Sequence, residues 1–481
     1  GLNGMLRSLL LPSLDTDGVV ERFDKPSFIR ENQKWKPSAT VGSFQTGAVR
    51  STIKNGRQNG SIAKNGGQTN MDALVLAVQA LLALLGAYQM MFLFFGLKRK
   101  RKEIRHPPTK RFAVLVAAHN EEAVIGALVE NLMKLDYPKE LYDVYVIADN
   151  CTDRTADVAR RYGATVCERN NPHLRGKGHA IEWMLNQLWR MPRKYDAVVM
   201  LDADNLVSRD FLLHMNNDLC EGHKVIQAYL DTKNPFDSWV TAAYAVTYWF
   251  CNRLWQLPRT NLGLANFLGG TGMCFDARLL REMGWGATSL VEDLEFTVRC
   301  VQRGIRPTFN YEARVYDEKP ITFRASARQR LRWMQGHFDV ARRYFFPLLW
   351  QGLKERDWAK IDTALYTLNV YNVFLAFVFS VVLWTDVLLP GPRHFTSLYE
   401  HVPGWALTAL TIGIYLQFPF ALLLEKVKSW KMYASLLTFP LFLASWWPVT
   451  FWAFFTQNNK EWSHTRHTRV LRLEDVGKHA G

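Results

Sequence analysis

Two carboxylates one residue apart, Asp202 and Asp204, close the run VVMLDAD at 198–204. Four consecutive apolar residues between polar ones predict a strand buried on both faces. Residues two apart on an extended chain point the same way, so both acids are expected to leave the strand end together. Side by side they repel and raise each other's pKa unless a cation lies between or beyond them. A divalent cation taking oxygen ligands fits, with positions left for phosphate oxygens. D-x-D is short, and two solvated acids in a strand-end turn are the competing reading. A second acidic pair, Asp149 and Asp153, ends another apolar run, and a third set, Glu292, Asp293 and Glu295, opens VEDLEFTVRCVQRG. At that helix start the acids also favour the dipole, so plain capping competes with chemistry. From Arg328, RQRLRWMQGHFDVARRYFFPLLW sets basic residues on one side and Trp333, Phe338, Phe345, Phe346 and Leu348 on another. Arg332 suits a phosphate and Trp333 a sugar face. A simple anchor at a membrane surface is the alternative.

The elements that must position these residues alternate. RFAVLVAAHNEE reads as a strand entering a polar loop, AVIGALVENLMKL as a helix and YDVYVIADN as a strand. CTDRTADVARRYG follows as a helix, ATVCERN as a short strand, GKGHAIEWMLNQLWR as a helix and YDAVVMLDAD as a strand. Such alternation predicts an α/β domain with a mostly parallel sheet and helices on both faces. Ligands of such sheets sit beyond the carboxyl ends of the strands, where the acids are.

Around this domain lie four long apolar blocks, 73–97, 361–390, 405–424 and 432–455. Each has about the 17–25 residues a membrane-spanning helix needs. The chain carries a net charge of +15. Its clustered cations flank the blocks: Lys98 to Lys102 run without interruption after the first, and Lys426, Lys428 and Lys431 separate the last two. That is the positive-inside pattern, with affinity for anionic lipid, and it argues for a bilayer rather than nucleic acid. Eight Lys or Arg fall between 98 and 111, so 98–360 is expected in the cytosol. The six cysteines lie between Cys151 and Cys300 with no C-x-x-C pair, which suits reduced thiols. The expected division is a mostly disordered segment over 1–70, a membrane helix over 71–97 and the cytosolic domain over 98–327. Amphipathic interface helices over 328–360, membrane helices over 361–456 and a basic tail over 457–481 follow. MLRSLLLP near the start is too short for a secretory signal, and the sequon at Asn59 is adequately explained by chance.

In order, the chain carries HNEE, VIADNCTD, RGKGHA, LDAD, FLGGTG, VED and QRLRW. It resembles the membrane-embedded family 2 glycosyltransferases, the group of cellulose, hyaluronan, chitin-oligosaccharide and poly-N-acetylglucosamine synthases. The resemblance covers about 108–336 and the flanking apolar blocks. It implies a GT-A fold, a UDP-sugar donor (UDP-GlcNAc or UDP-glucose), Mg²⁺ or Mn²⁺, and inversion at the anomeric carbon. It also implies roles: Glu121 and Asp149 for uridine, Lys177 near the nucleotide, Asp202 for ribose or the donor sugar, and Asp204 for the metal. Asp293 would be the general base with Glu292 beside it in the substrate site, and 269–272, Gly270 included, would let backbone approach the acceptor. Gln329, Arg332 and Trp333 would close over diphosphate and acceptor. Val291 stands where many relatives have Thr.

The expected activity is that of a hexosyltransferase extending a polysaccharide and exporting it through its own helices, with accessory subunits an open question. Transfer of one sugar to a lipid carrier is the alternative, and an inactive membrane-anchored scaffold a third reading. The resemblance implies a multi-pass protein of a bacterial inner or plasma membrane. Counted as full spans, the last three blocks place the tail outside. Its basic character and the Trp-containing EWSHTRHTR argue for the cytosol, provided Pro440 and Pro448 break the fourth block.

Overall fold

In strand β1 (Phe112–Ala118), Phe112, Val114 and Val116 enter one apolar core while Ala113 and Leu115 enter another. Strand β4 (Ala197–Asp202) divides the same way, with Val199 and Leu201 on one face and Val198 and Met200 on the other. A strand covered on both faces has no polar side to offer, which is why these runs are apolar throughout. The computed structural model describes residues 66–286, 288–388, 400, 402–459, 467 and 469–479.

The remaining strands are β2 (Tyr142–Asp149), β3 (Thr165–Arg169), β5 (Leu206–Val207), β6 (Val225–Thr232), β7 (Met273–Asp276) and β8 (Thr308–Asp317). Together they make one mixed sheet in the order β3-β2-β1-β4-β7-β6-β8-β5. The first four are parallel, as the alternation predicts. The other half mixes directions: β7 runs against both β4 and β6, and β5 against β8, while β6 and β8 are parallel. Between β6 and β7 the chain makes a helical excursion, Trp239–Cys251 and Leu257–Asn261, and returns to the end of the sheet it left. A π turn, Asn252–Gln256, joins the two helices just before Pro258. The wider turn suits a proline ring, which clashes with the carbonyl four residues earlier in an ordinary α-helix.

Among the described residues three helices are long and apolar enough to cross a membrane: Asp72–Gly96, Trp358–Val382 and Gly404–Leu424. The fourth apolar block is not one span. It folds as three short helices, Trp430–Ser435, Phe439–Ala444 and Trp446–Thr456, with Pro440 and Pro448 in the first turns of the second and third. Proline is tolerated there and interrupts a continuous helix. The interface element is a single helix, Phe323–Glu355, that starts inside the stretch expected to close the catalytic domain. It presses on the domain at Gly336, where an added Cβ would lie 2.8 Å from a Val291 methyl. Glu295 reinforces the contact by accepting from Arg343 at 2.7 Å and Tyr344 at 3.0 Å.

A buried ion pair ties the apolar helices to the domain. Arg259 donates to Asp362 at 2.9 and 3.1 Å, and Tyr88 donates to the same carboxylate at 3.0 Å. The Arg259 guanidinium also lies over the Trp255 ring, 4.0 Å from its centroid. The C-terminal segment packs on the domain through Arg469–Asp237 at 3.3 Å and Arg209–Glu474 at 3.8 Å. The tail is therefore on the catalytic domain's side. Residues 1–65, with the sequon and most of the segment read as disordered, lie outside the described residues, as does most of EWSHTRHTR.

Candidate active site

The carboxyl ends of β1, β2 and β4 open into one cleft, lined by Glu121, Asp149, Lys177, Asp202, Asp204 and Arg332. Gln329 reaches it from the interface helix, where its Oε1 accepts from the Tyr244 hydroxyl at 3.1 Å. The sheet thus brings together seven of the residues singled out in the sequence. Glu292, Asp293, Gly270 and Trp333 flank the cleft instead.

Asp202 and Asp204 do not leave the strand side by side. Strand geometry stops at Asp202, and the next residues form a turn in which Asn205 N–H donates to the Asp202 carbonyl at 3.2 Å. The Asn205 side chain closes the turn by accepting from Asp202 N–H at 3.0 Å. Asp202 consequently points to the open cleft and pairs with Lys177, whose ammonium also donates to the Gly270 carbonyl. Asp204 turns inward to 5 % exposure and accepts from Glu318 N–H at 2.8 Å and Asn205 Nδ2 at 3.2 Å. The period of two ended one residue too early for the expected alignment.

Asp149 is buried at the end of β2, paired with Arg169. The loops after β1 and β2 turn on Asn120 and Asn150, at φ of 55° and 51°, where asparagine tolerates the left-handed region. Asn120 Oδ1 then accepts from Thr152 N–H at 2.8 Å and binds the two loops together. Gly176, at φ 113°, starts the helix that carries Lys177.

Three contributors were not foreseen. Arg169 is one. The pair Asp317–Glu318, at the end of β8, is another, and it follows a strand whose Asn310, Glu312 and Arg314 hide it from the apolar-run pattern. The third, His467, comes from the tail. Its Nδ1 lies 2.9 Å from Glu121 Oε1. Burial lowers its pKa, but the Asp204 charge and the bond to Glu121 outweigh burial and push it up to about 9. No local pattern links a residue so near the chain end to a cleft built from residue 121 onward. The same segment seals one rim, where Arg469 N–H donates to Glu318 at 3.1 Å.

The donor atoms fit a divalent cation. Asp202, Asp204 and Asp317 gather hard oxygens, and Asp317 Oδ1 is buried without a hydrogen-bond partner. Burial pushes Asp317 up to about 6, and the Asp204 and Asp202 charges add to that. Among the described residues no three acidic, His or Cys side chains form a ready cage. An ion that draws most of its ligands from phosphate and water needs none.

Asp293 lies in the first turn of the helix Glu292–Gln302, with Oδ1 accepting from Leu294 N–H at 2.8 Å. Burial, followed by the neighbouring Glu292 charge, pushes its pKa up to about 7. A carboxylate so poised can take a proton near neutrality. Gly270, at φ 82°, faces it: an added Cβ would lie 3.3 Å from Asp293 Oδ2. The other glycines of the loop serve the core. A Cβ on Gly272 would strike Val315 at 2.6 Å, and one on Gly269 would strike Leu230 at 2.6 Å. Trp333 stands edge-on to Tyr244, centroids 6.4 Å apart, and packs into the apolar clusters on both sides of it. Glu295 belongs to the packing described above.

Residues 107–336 match the profile described as glycosyltransferase-like family 2. The chain is 28% identical over 379 residues to the beta-monoglucosyldiacylglycerol synthase of Nostoc sp., covering 73% of this chain and 76% of that one. It is 24% identical over 262 residues to the poly-beta-1,6-N-acetyl-D-glucosamine synthase of Staphylococcus aureus, covering 52% and 60%. Among solved structures, the mannosyltransferase PcManGT of Pyrobaculum calidifontis, bound to GDP-Man and Mn²⁺, overlays with a TM-score of 0.48 at 18% identity, over 77% of this chain and 97% of that one. The matched segment begins just before β1, ends in the interface helix at Gly336 and contains every candidate residue found in the sequence. Residues 107–336 match glycosyltransferase-like family 2, and the chain is a glycosyltransferase.

Proposed function

We propose that the chain transfers a single sugar from a UDP-sugar, with inversion, to a hydroxyl of a membrane lipid on the cytosolic face of a bacterial membrane. One observation carries the lipid reading. The helix Glu292–Gln302, with Asp293 in its first turn, packs against both the interface helix and the apolar helix Trp358–Leu388, so the base stands where the domain meets the membrane helices. The eight cations at 98–111 support a cytosolic domain.

In this reading Asp149 and Glu121 accept hydrogen bonds from uracil N–H and ribose hydroxyls. Asp202, held by Lys177, faces the ribose or donor sugar, and Gly270 and Glu292 border the sugar beside the base. Gln329 and Arg332 close over the diphosphate from the interface helix, where guanidinium geometry matches phosphate. A divalent ion, Mg²⁺ or Mn²⁺, held chiefly by Asp204 would neutralise the charge of the departing UDP. Asp293 takes the proton of the acceptor hydroxyl as its oxygen attacks the anomeric carbon from the face opposite UDP. One displacement inverts that carbon. UDP-glucose and UDP-GlcNAc are the leading donors.

A second reading, repeated addition to a polysaccharide with coupled export, is favoured by one feature: Q-x-x-R-W with Trp333 beside the base helix. UDP release from each donor, with and without chelator, tests the enzyme reading. Sizing and lipid extraction of the product then separate the two acceptor readings. A lipid carrying one sugar is expected; a long water-soluble chain would replace the lipid reading by the second one.

A further inference from the structure

Three polar groups beside the base have no work in donor binding. Tyr248, on the helix Trp239–Cys251, is capped on one ring face by Lys319, whose ammonium lies 3.2 Å from the centroid. Asp317 anchors that ammonium at 2.6 Å. The charges of Asp317, Asp293 and Asp202 all act on the Tyr248 phenol, which lies near both the base and the donor-side carboxylates. Tyr366 comes from the apolar helix Trp358–Leu388 and packs on Phe267, centroids 3.9 Å apart. The Asp293 charge reaches it as well.

His337 meets the Tyr366 ring edge-on at 6.3 Å. Its Nδ1 bonds the Trp333 carbonyl at 2.8 Å. A carbonyl only accepts, so Nδ1 carries the proton and Nε2 of the neutral ring is an acceptor. Burial keeps the ring neutral by lowering its pKa. Its neighbour Gly336 is the point of closest approach to Val291, two residues before Asp293, which brings His337 to the base helix.

Among the described residues neither phenol hydroxyl nor His337 Nε2 makes a hydrogen bond, and all three side chains are part-buried. None of these three atoms is fully buried, so each is open to a ligand, and a ligand that covers them is favoured only if it supplies their partners. An acceptor with one hydroxyl satisfies only the base and leaves these three bare.

Building on the lipid-acceptor reading, we propose that Tyr248, Tyr366 and His337 form an acceptor subsite for the non-reacting hydroxyls of a lipid head group. The head is a glycerol or a hexose, with at least two hydroxyls. The tyrosines donate to its oxygens and His337 Nε2 accepts from one hydroxyl. The reacting hydroxyl gives its proton to Asp293, its oxygen bonds to the anomeric carbon, and the bond to the UDP oxygen breaks with its electron pair leaving on UDP.

The test uses the full chain in lipid nanodiscs with a UDP-sugar and two acceptors of equal acyl length. One is 1-acylglycerol. The other is the acyl monoester of 1,3-propanediol, which lacks only the middle hydroxyl. The measured quantity is the ratio of their kcat/KM values, which does not depend on the folded fraction of a preparation. A ratio of about tenfold or more in favour of the glycerol head is expected, as for a site built to bond a hydroxyl. Tyr248→Phe, Tyr366→Phe and His337→Phe should each bring it toward one, whereas His337→Gln, which keeps an acceptor oxygen, should retain most of it. A wild-type ratio near one, or a high ratio that survives the three Phe variants, overturns the subsite while glycosylation of both lipids upholds the lipid reading. Long water-soluble product with no glycosylated lipid overturns both.

Discussion

The two sides of the reaction centre are built on opposite principles. On the donor side nearly every charge is already answered: Lys177 by Asp202, Arg169 by Asp149, His467 by Glu121 and Asp204. On the acceptor side Asp293 makes no ion pair among the described residues, and burial with the Glu292 charge outweighs the more distant Lys177. Charge compensation prepares a site for a strongly charged nucleotide without large rearrangement, since preorganised dipoles cost nothing at the moment of reaction. An uncompensated, desolvated carboxylate keeps its proton affinity high, as a general base requires. The contrast explains why acids of similar sequence setting separate in acidity, with Asp204 held below and Asp293 above the ordinary carboxylate range.

The contrast is open to attack at several points. The largest effect is expected from Asp204→Asn, which should drop metal-dependent UDP release to background while the protein stays folded in the membrane. Activity that survives in Mn²⁺ would remove Asp204 from the metal. Asp293→Asn should lower transfer by about 10²–10⁴-fold and spare UDP-sugar binding measured by titration. The pH profile sharpens this second point. Only the ionised Asp293 accepts a proton, so kcat/KM should fall as pH drops through about 7, and that limb should vanish in the Asn variant. A limb centred near 4 would mean that burial does not govern this carboxylate.

Asp362→Asn probes the support of the acceptor side. Breaking a buried ion pair by removing one partner costs about 3–5 kcal/mol, and Arg259 would lose its carboxylate on the helix that carries Tyr366. Thermal unfolding in detergent should shift down, and transfer should suffer more than UDP-sugar binding. Equal losses in both would show that the two sides are not separable. The smallest effect belongs to His467→Gln, which removes a charged partner from the compensated side. A rise of roughly tenfold in donor KM is expected, the scale of one charge-assisted hydrogen bond. An unchanged KM would make the tail contact incidental to the donor.

The positions that could be read from the sequence lie next to strand ends. Asp149 and Asp202 follow apolar runs whose length and flanks mark buried strands, and Asp293 sits at a helix start marked by three acids. Asp317 closes β8, but Asn310, Glu312 and Arg314 interrupt that strand's apolar residues, so the same rule did not mark it. Nor were the reversed strands legible, because β7 has only four residues and nothing in four residues states a direction. The inward turn of Asp204 depends on Asn205 bonding back to Asp202, a side-chain preference that overrode strand periodicity. Trp333 looked like an open sugar platform from its neighbours in sequence. Its edge-on contact with Tyr244 joins residues 89 positions apart.

By itself, then, the sequence determined the local quantities: which segments are apolar enough to span a membrane or fill a two-faced sheet, where acids and cations accumulate, and which motifs stand in which order. These depend on side-chain chemistry over a few residues and on the periods of helix and strand. Tertiary structure alone decided which charges meet. His467 reaches Glu121 across 346 positions, Arg259 reaches Asp362 across 103, and the interface helix touches Val291 only because position 336 lacks a side chain. Proximity across such distances in sequence is set by packing of the whole chain. Proximity and burial together then set the acidities that separate a compensated donor side from a base left free to accept a proton.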